Sequence, residues 1–310
     1  MNDPIYPIHN RIPDVSKYQG RIDWQAIAGA VDFIIIRVQD NQILDSELAR
    51  NIRGAKGNHV PYALYAYFRA ADEASARMEA DLFYDRAVDA GAVGAGVAGA
   101  VGAGVAGAGA TDGPILWYID VEKKTSAWPR QRKAVLAYAE RLRARGARRV
   151  GLYTYNAMFP YLKAVAGAFD DVWIAHYGKN IGVPSGYPSY PCGLHQYTSM
   201  AGAAAYKQYA VPGIRGRVDL NRLTGAKPLS WYTGRDYGVQ PAPEEPLRQV
   251  RVTGRRVNVR SGPGKRRAVL GVVGKGMLLT RSGEDHDGWV GVLFSGRKGY
   301  ISARYARARP

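Results

Sequence analysis

The chain has 310 residues, 46% of them hydrophobic and 11% aromatic, which is enough for one large core and a small second domain. A single cysteine, Cys192, excludes an internal disulfide framework and a multi-cysteine metal site, and the five histidines show no ligand spacing, so no metal and no cofactor are expected. The formal charge of +17 favours polyanions such as nucleic acid, anionic lipid or wall polymers, and it is uneven: residues 241–310 carry 15 Lys and Arg against 5 Asp and Glu.

The opening residues, Met1-Asn2-Asp3-Pro4-Ile5-Tyr6-Pro7-Ile8-His9-Asn10, have neither a basic region nor an apolar one, so no secretory signal is expected. Apolar, β-branched runs at 33–38, 62–68, 115–121, 150–155, 172–175 and 194–197 predict strands. Amphipathic stretches at 73–88 and 130–145, the latter stopped by Gly146, predict helices between them. Strand–helix alternation over this length predicts a parallel α/β fold, a TIM-like (β/α) barrel with irregularity allowed.

Residues 90–110 interrupt the rhythm with 21 consecutive Ala, Gly and Val, and the octet Ala92–Gly99 recurs identically as Ala100–Gly107. So many glycines raise the entropic cost of order, and the stretch reads as a weakly ordered surface insertion. The competing reading is a membrane-seeking hairpin or helix with small-residue packing; stable membrane insertion is not expected.

The run Ile115-Leu116-Trp117-Tyr118-Ile119-Asp120-Val121-Glu122 ends in two acids. Strand side chains alternate, so Asp120 and Glu122 share a face, roughly 7 Å apart along the strand. Carboxylates do not belong in a core unless paired or used. Two at the end of a buried strand point to acid/base chemistry on an acetal or glycoside. Taken alone, an ordinary strand end meeting solvent explains them as well.

A proline-rich stretch, Gly238-Val239-Gln240-Pro241-Ala242-Pro243-Glu244-Glu245-Pro246, predicts a stiff linker. Beyond it, short strand-and-turn runs at 257–264, 269–273, 276–282, 288–292 and 299–301 predict a small all-β barrel.

Five pieces in order carry a resemblance. They are Asp14-Val15-Ser16-Lys17-Tyr18-Gln19-Gly20 with Ile22-Asp23-Trp24; Tyr118-Ile119-Asp120-Val121-Glu122; Trp173-Ile174-Ala175-His176-Tyr177; His195-Gln196-Tyr197-Thr198-Ser199; and Val218-Asp219-Leu220-Asn221-Arg222. Through them residues 8–225 resemble glycoside hydrolase family 25, muramidases that cut peptidoglycan. The resemblance implies four acidic catalytic positions: Asp14, Asp120, Glu122 and Asp219. It makes Glu122 the general acid/base and has Asp120 orient the substrate's N-acetyl group or stabilise the cationic centre. Asp14 and Asp219 would tune charge and hold the sugar. Retention with help from the acetamido oxygen is one mechanism the family allows, and the choice stays open here.

Pyranose faces stack on aromatic rings, so Tyr67, Tyr153, Trp173 and Tyr177, at or near strand ends, are the candidate substrate-binding residues; core packing is the alternative for each. Ala66-Tyr67-Phe68 departs from the family's usual Tyr-His-Phe. Gln196 either hydrogen-bonds substrate or supports its strand. The C-terminal part, through Val257-Asn258-Val259-Arg260-Ser261-Gly262-Pro263, Gly288-Trp289-Val290 and Gly299-Tyr300-Ile301, resembles bacterial SH3-type domains of cell-wall enzymes. That implies tethering to the wall, through wall peptide or an anionic wall polymer.

The expected organisation is a catalytic domain at 1–228 including the insertion, a linker at 229–247 and an SH3-like domain at 248–310. The function implied is a peptidoglycan hydrolase of the phage-endolysin type, a monomer made in the host cytoplasm and released to the wall. A bacterial autolysin and a non-catalytic wall-binding protein are the alternatives. Specific nucleic-acid binding is not expected, because the SH3-like residues offer no reading helix.

Overall fold

A computed structural model describes residues 11–93, 113, 114, 116–235, 249–282, 285, 286, 288–294 and 297–308. The insertion beyond residue 93, the proline-rich linker and the first ten residues lie outside the described residues. The chain divides into two compact units, Met1–Gly238 and Val239–Pro310.

The first unit is an eight-stranded closed barrel. In chain order its described elements are β1 (Ile12–Val15), α1 (Trp24–Ile27), β2 (Ile34–Asp40), β3 (Ile43–Leu44), α2 (Leu48–Gly57), β4 (Tyr62–Tyr67), α3 (Glu73–Asp89), β5 (Trp117–Asp120), α4 (Trp128–Arg145), β6 (Val150–Tyr155), α5 (Phe159–Ala166), β7 (Asp171–Ala175), β8 (Leu194–Ala201), β9 (Val218–Leu223) and α6 (Leu229–Thr233). The sheet runs β1-β9-β8-β7-β6-β5-β4-β2, and β1 pairs with β2 to close it, with β3 folded back on the end of β2.

Six strands from β2 to β8 run parallel, and β1 is parallel to β2. The parallel order gives way at β9, which is antiparallel to both β8 and β1, an irregularity that the expected barrel allowed. A parallel return usually crosses over through an α-helix, whereas the connection from β8 to β9, residues 202–217, holds only a short 3-10 segment, Ala204–Tyr209. The barrel is therefore mixed.

Strand alternation sorts the side chains into two cores. Odd positions of β5, Trp117 and Ile119, pack outward with Leu64, Leu152, Phe83 and Tyr138 under α3 and α4. Even positions point inward: Tyr118 joins Phe33, Ile35, Tyr153, Trp173, Leu229 and Tyr232. Gly151 makes room for this, since a Cβ there would lie 2.3 Å from the Tyr118 ring.

The floor of the barrel is closed by α6, which the sequence assigns to the linker. Its Tyr232 stacks on Phe33 at 5.6 Å, and the Tyr232 and Tyr118 hydroxyls both reach the buried Asp171 at the start of β7.

The second unit contains β10 (Gln249–Val252), β11 (Val257–Arg260), β12 (Val269–Val273), β13 (Leu278–Thr280), β14 (Trp289–Phe294), β15 (Arg297–Ser302) and β16 (Ala306–Ala308). They form a three-stranded sheet, β13-β10-β16, and a four-stranded one, β12-β11-β15-β14. Val250, Val252, Val257, Val259, Leu279, Val292 and Ile301 fill the space between them. The small all-β fold expected there is present.

Candidate active site

The inward-facing residues of the barrel change character along its axis. Near the floor they are aromatic and apolar; at the C-terminal ends of the parallel strands they are carboxylates and tyrosines. Those upper residues line a cavity of about 120 Å³ bounded by Asp14, Tyr65, Asp120, Glu122, Tyr153, Tyr155, Trp173, Tyr177, Gln196 and Asp219. All four acids named from the sequence meet here, as do Tyr153, Trp173, Tyr177 and Gln196. Tyr67, at the end of β4, does not line the cavity itself but reaches Glu122 with its hydroxyl.

Each acid is placed by its strand. Asp14 on β1 sits directly across from Asp219 on the antiparallel β9. Asp120 ends β5, and Glu122 follows on the same inward face just past it.

A hydrogen-bonded web fixes one side of the site. Asp14 Oδ2 accepts from Gln196 Nε2 at 2.9 Å and from Asn221 Nδ2 at 2.8 Å. Gln196 Oε1 accepts the hydroxyls of Tyr153 at 2.8 Å and Tyr177 at 2.7 Å. Asn221 Oδ1 accepts from Trp173 Nε1 at 2.7 Å. Every polar group of the Gln196 amide except one N–H is thus engaged within the protein, and Trp173 is buried against Tyr153, the rings tilted at 58° with centroids 4.3 Å apart. These residues hold Asp14 in place.

Glu122 lies on the opposite side and is more open; its Oε2 accepts the Tyr155 hydroxyl at 3.0 Å. Asp120 is buried between the two sides, and its Oδ1 has no hydrogen-bond partner among the described residues.

Burial raises the pKa of all four acids. Asp14 is pushed up to about 6, burial outweighing the bonds from Asn221 and Gln196. Asp120 rises well above the usual carboxylate range through burial, reinforced by the charges of Glu122 and Asp14. Burial and then Asp14 do the same to Asp219. Glu122 is raised by burial and pulled back first by the hydroxyl of Tyr155 and then by that of Tyr67. Four acids crowded this way cannot all ionise, so the cluster retains protons near neutral pH while part of it stays charged. Such a site can protonate a poor leaving group and stabilise positive charge beside it. Among the described residues no group of His, Cys, Asp and Glu has the arrangement of a metal site.

Tyr65, Tyr155 and Asn221 belong to the site and were not singled out from the sequence as site residues. The signal that finds them is parity. Each lies two residues from a candidate named there (Tyr67, Tyr153 and Asp219), on the same face of the same strand.

Comparisons with known proteins bear on the domains and the fold. The family model for glycosyl hydrolases family 25 matches residues 13–100, and the one for the bacterial SH3 domain matches residues 255–306. No curated protein matches the chain. Among solved structures, a glycosyl hydrolase 25 of Streptococcus pneumoniae superposes with a TM-score of 0.60 at 20% identity, over 74% of this chain and 95% of that one. The catalytic domain of endolysin ply40 from bacteriophage P40 of Listeria monocytogenes gives 0.59 at 21%, over 70% and 94%. A bacterial lysozyme from Streptomyces coelicolor gives 0.53 at 22%, over 74% and 100%. At these identities the likeness speaks for a shared fold.

Proposed function

The chain carries a glycosyl hydrolase family 25 domain followed by a bacterial SH3 domain, and on that premise we propose that it is a peptidoglycan hydrolase cutting the β-1,4 bond between N-acetylmuramic acid and N-acetylglucosamine. The observation that carries this reading is the convergence of Asp14, Asp120, Glu122 and Asp219 on one tyrosine-lined cleft.

The roles follow from position. Glu122 is only partly buried, unlike Asp14 and Asp120, and its Oε2 accepts the Tyr155 hydroxyl, so its other oxygen can deliver a proton to the glycosidic oxygen. As that proton transfers, the bond from the anomeric carbon to oxygen breaks and the electron pair leaves with the oxygen. Positive charge then develops on the ring. Asp120, deeper and with Oδ1 unpartnered among the described residues, faces that charge or the acetamido N–H. Water completes the reaction, returning a proton to Glu122. Asp14 and Asp219 set the field, and Gln196 with Asn221 keeps Asp14 aligned. Tyr67 and Tyr177 border the bound sugar.

The second unit is the wall-tethering part of the same proposal. Its excess of Lys and Arg suits an anionic wall polymer, and a monomer suffices for the activity. A role in phage lysis, in keeping with the endolysin domain among the structural neighbours, belongs to the proposal too.

Digestion of purified peptidoglycan followed by mass analysis tests the reading. Products ending in reducing muramic acid are expected, and reducing glucosamine overturns the bond assignment. A wild-type chain that clears no wall suspension leaves only the wall-binding alternative.

A further inference from the structure

One strand away from the catalytic cleft, a second pocket of about 40 Å³ opens between the loop after β1 and the β2–β3 hairpin. The two are neighbours through the sheet. Arg37 in its wall is the register partner of Tyr65, which lines the cleft, and Asp40 is the partner of Tyr67, which reaches Glu122.

The rim of this pocket is unusual for a surface. Tyr18 is 76% exposed, Ile43 67% and Leu44 50%. Scattered apolar residues on a surface need no explanation, but three large ones around one depression do. The seat beneath them is rigid. The Asp45 carboxylate accepts Arg37 Nε at 2.8 Å and the backbone N–H groups of Lys17 at 2.9 Å and Glu47 at 3.0 Å, tying the loop, β2 and the start of α2 together. The Tyr18 ring lies 5.1 Å from the Arg37 guanidinium and 5.5 Å from the Lys17 ammonium.

The charges also have a direction. Asp45 is neutralised by Arg37, and Asp40 by Arg69 in a two-pronged pair at 2.7 and 3.2 Å. Lys17 is exposed and ion-paired with no carboxylate among the described residues. The pocket is therefore cationic and apolar, directly beside a cleft lined by four acids.

We propose that this pocket is a subsite for the peptide stem carried by the substrate's muramic acid: a short acidic peptide with small apolar side chains. The inference rests on the hydrolase reading above. Peptide carboxylates are repelled by the acid cluster and attracted by Lys17, while alanine methyls match Ile43, Leu44 and the Tyr18 ring. A further sugar is the weaker fit, because Ile43 and Leu44 offer its hydroxyls no partner.

The test compares the full-length wild type with Ile43→Ser/Leu44→Ser and with Lys17→Glu on two substrates: intact peptidoglycan, and glycan strands stripped of peptide by an amidase. Losing two half-covered apolar side chains lowers kcat/KM on intact wall by about tenfold. The rate on stripped glycan stays within about twofold, since neither variant touches the cleft. An equal fall on both substrates overturns the proposal in favour of a sugar site or a folding defect, and no change on either overturns it outright. Failure of the hydrolase reading is distinguishable, because wild type then cleaves neither substrate. For that case NMR titration of the chain with a free alanine- and glutamate-containing stem tetrapeptide is the independent readout. Saturable shifts at Tyr18, Ile43 and Leu44, lost in Lys17→Glu, support the subsite, and their absence refutes it.

Discussion

Replacing Glu122 by Gln removes one proton and almost nothing else. The amide is isosteric, and its oxygen can still accept the Tyr155 hydroxyl that lies 3.0 Å from Oε2. If Glu122 is the general acid, the loss is the whole of that contribution, about 100-fold to 10,000-fold in kcat, or about 3–5 kcal/mol of transition-state stabilisation. Stability moves the other way. The Glu122 carboxyl is raised by burial, so the folded state holds its proton more tightly than the unfolded chain does. That group therefore destabilises the fold progressively as pH rises above the unfolded value, and glutamine carries no such penalty. The variant is expected to melt at or above the wild-type temperature at pH 7 while failing to clear a wall suspension. Turbidity loss and thermal unfolding on the same sample decide it. Near-normal clearing removes Glu122 from its role, and lost activity with a clearly lower Tm shows that the residue was supporting structure.

Other outcomes follow from the same geometry. Asp14, raised from 3.8 to about 6, loses stabilisation of the fold as pH climbs through that window. Asp14→Asn should therefore melt higher than wild type above pH 6, with the gap closing toward pH 4; a gap that widens toward acid contradicts the argument. Tyr118→Phe leaves the 2.7 Å bond to buried Asp171 unmade, expected to cost about 2 kcal/mol and roughly 4–8 °C in Tm with kcat retained. Gly151→Ala forces a methyl into the Tyr118 ring and should destabilise more than that exchange, read by chemical denaturation. Wall binding by the full chain should weaken as salt rises from about 50 mM to about 500 mM, and salt-independent binding argues against a polyanion as the ligand of the basic unit.

How much of this was legible in the chain depends on the range of the signal. The shared face of Asp120 and Glu122 follows from strand alternation alone, and the structure places both on the barrel's inner side. The same arithmetic applied to β4, β6 and β9 leads to Tyr65, Tyr155 and Asn221. What no local pattern contains is register between distant strands. That Asp14 faces Asp219 depends on β9 running backwards, and nothing in Val218-Asp219-Leu220 encodes a direction. Aromatic residues are ambiguous for a related reason. A ring at a strand end suits a sugar or a core equally, and burial of Trp173 and Tyr153 against each other is decided by neighbours from other strands. The residues 229–233 read as linker because five residues are too few to show a helical period, yet Leu229 and Tyr232 seal the barrel floor.

The reversed last strand decides where the polypeptide ends the barrel. Because β9 descends while its neighbours rise, the polypeptide finishes the barrel at the end away from the acids, and α6 locks it there through Tyr232 and the Arg149 bond to the Trp231 carbonyl. The last described residues of this unit thus lie at the closed floor, the depth of the barrel away from the acids.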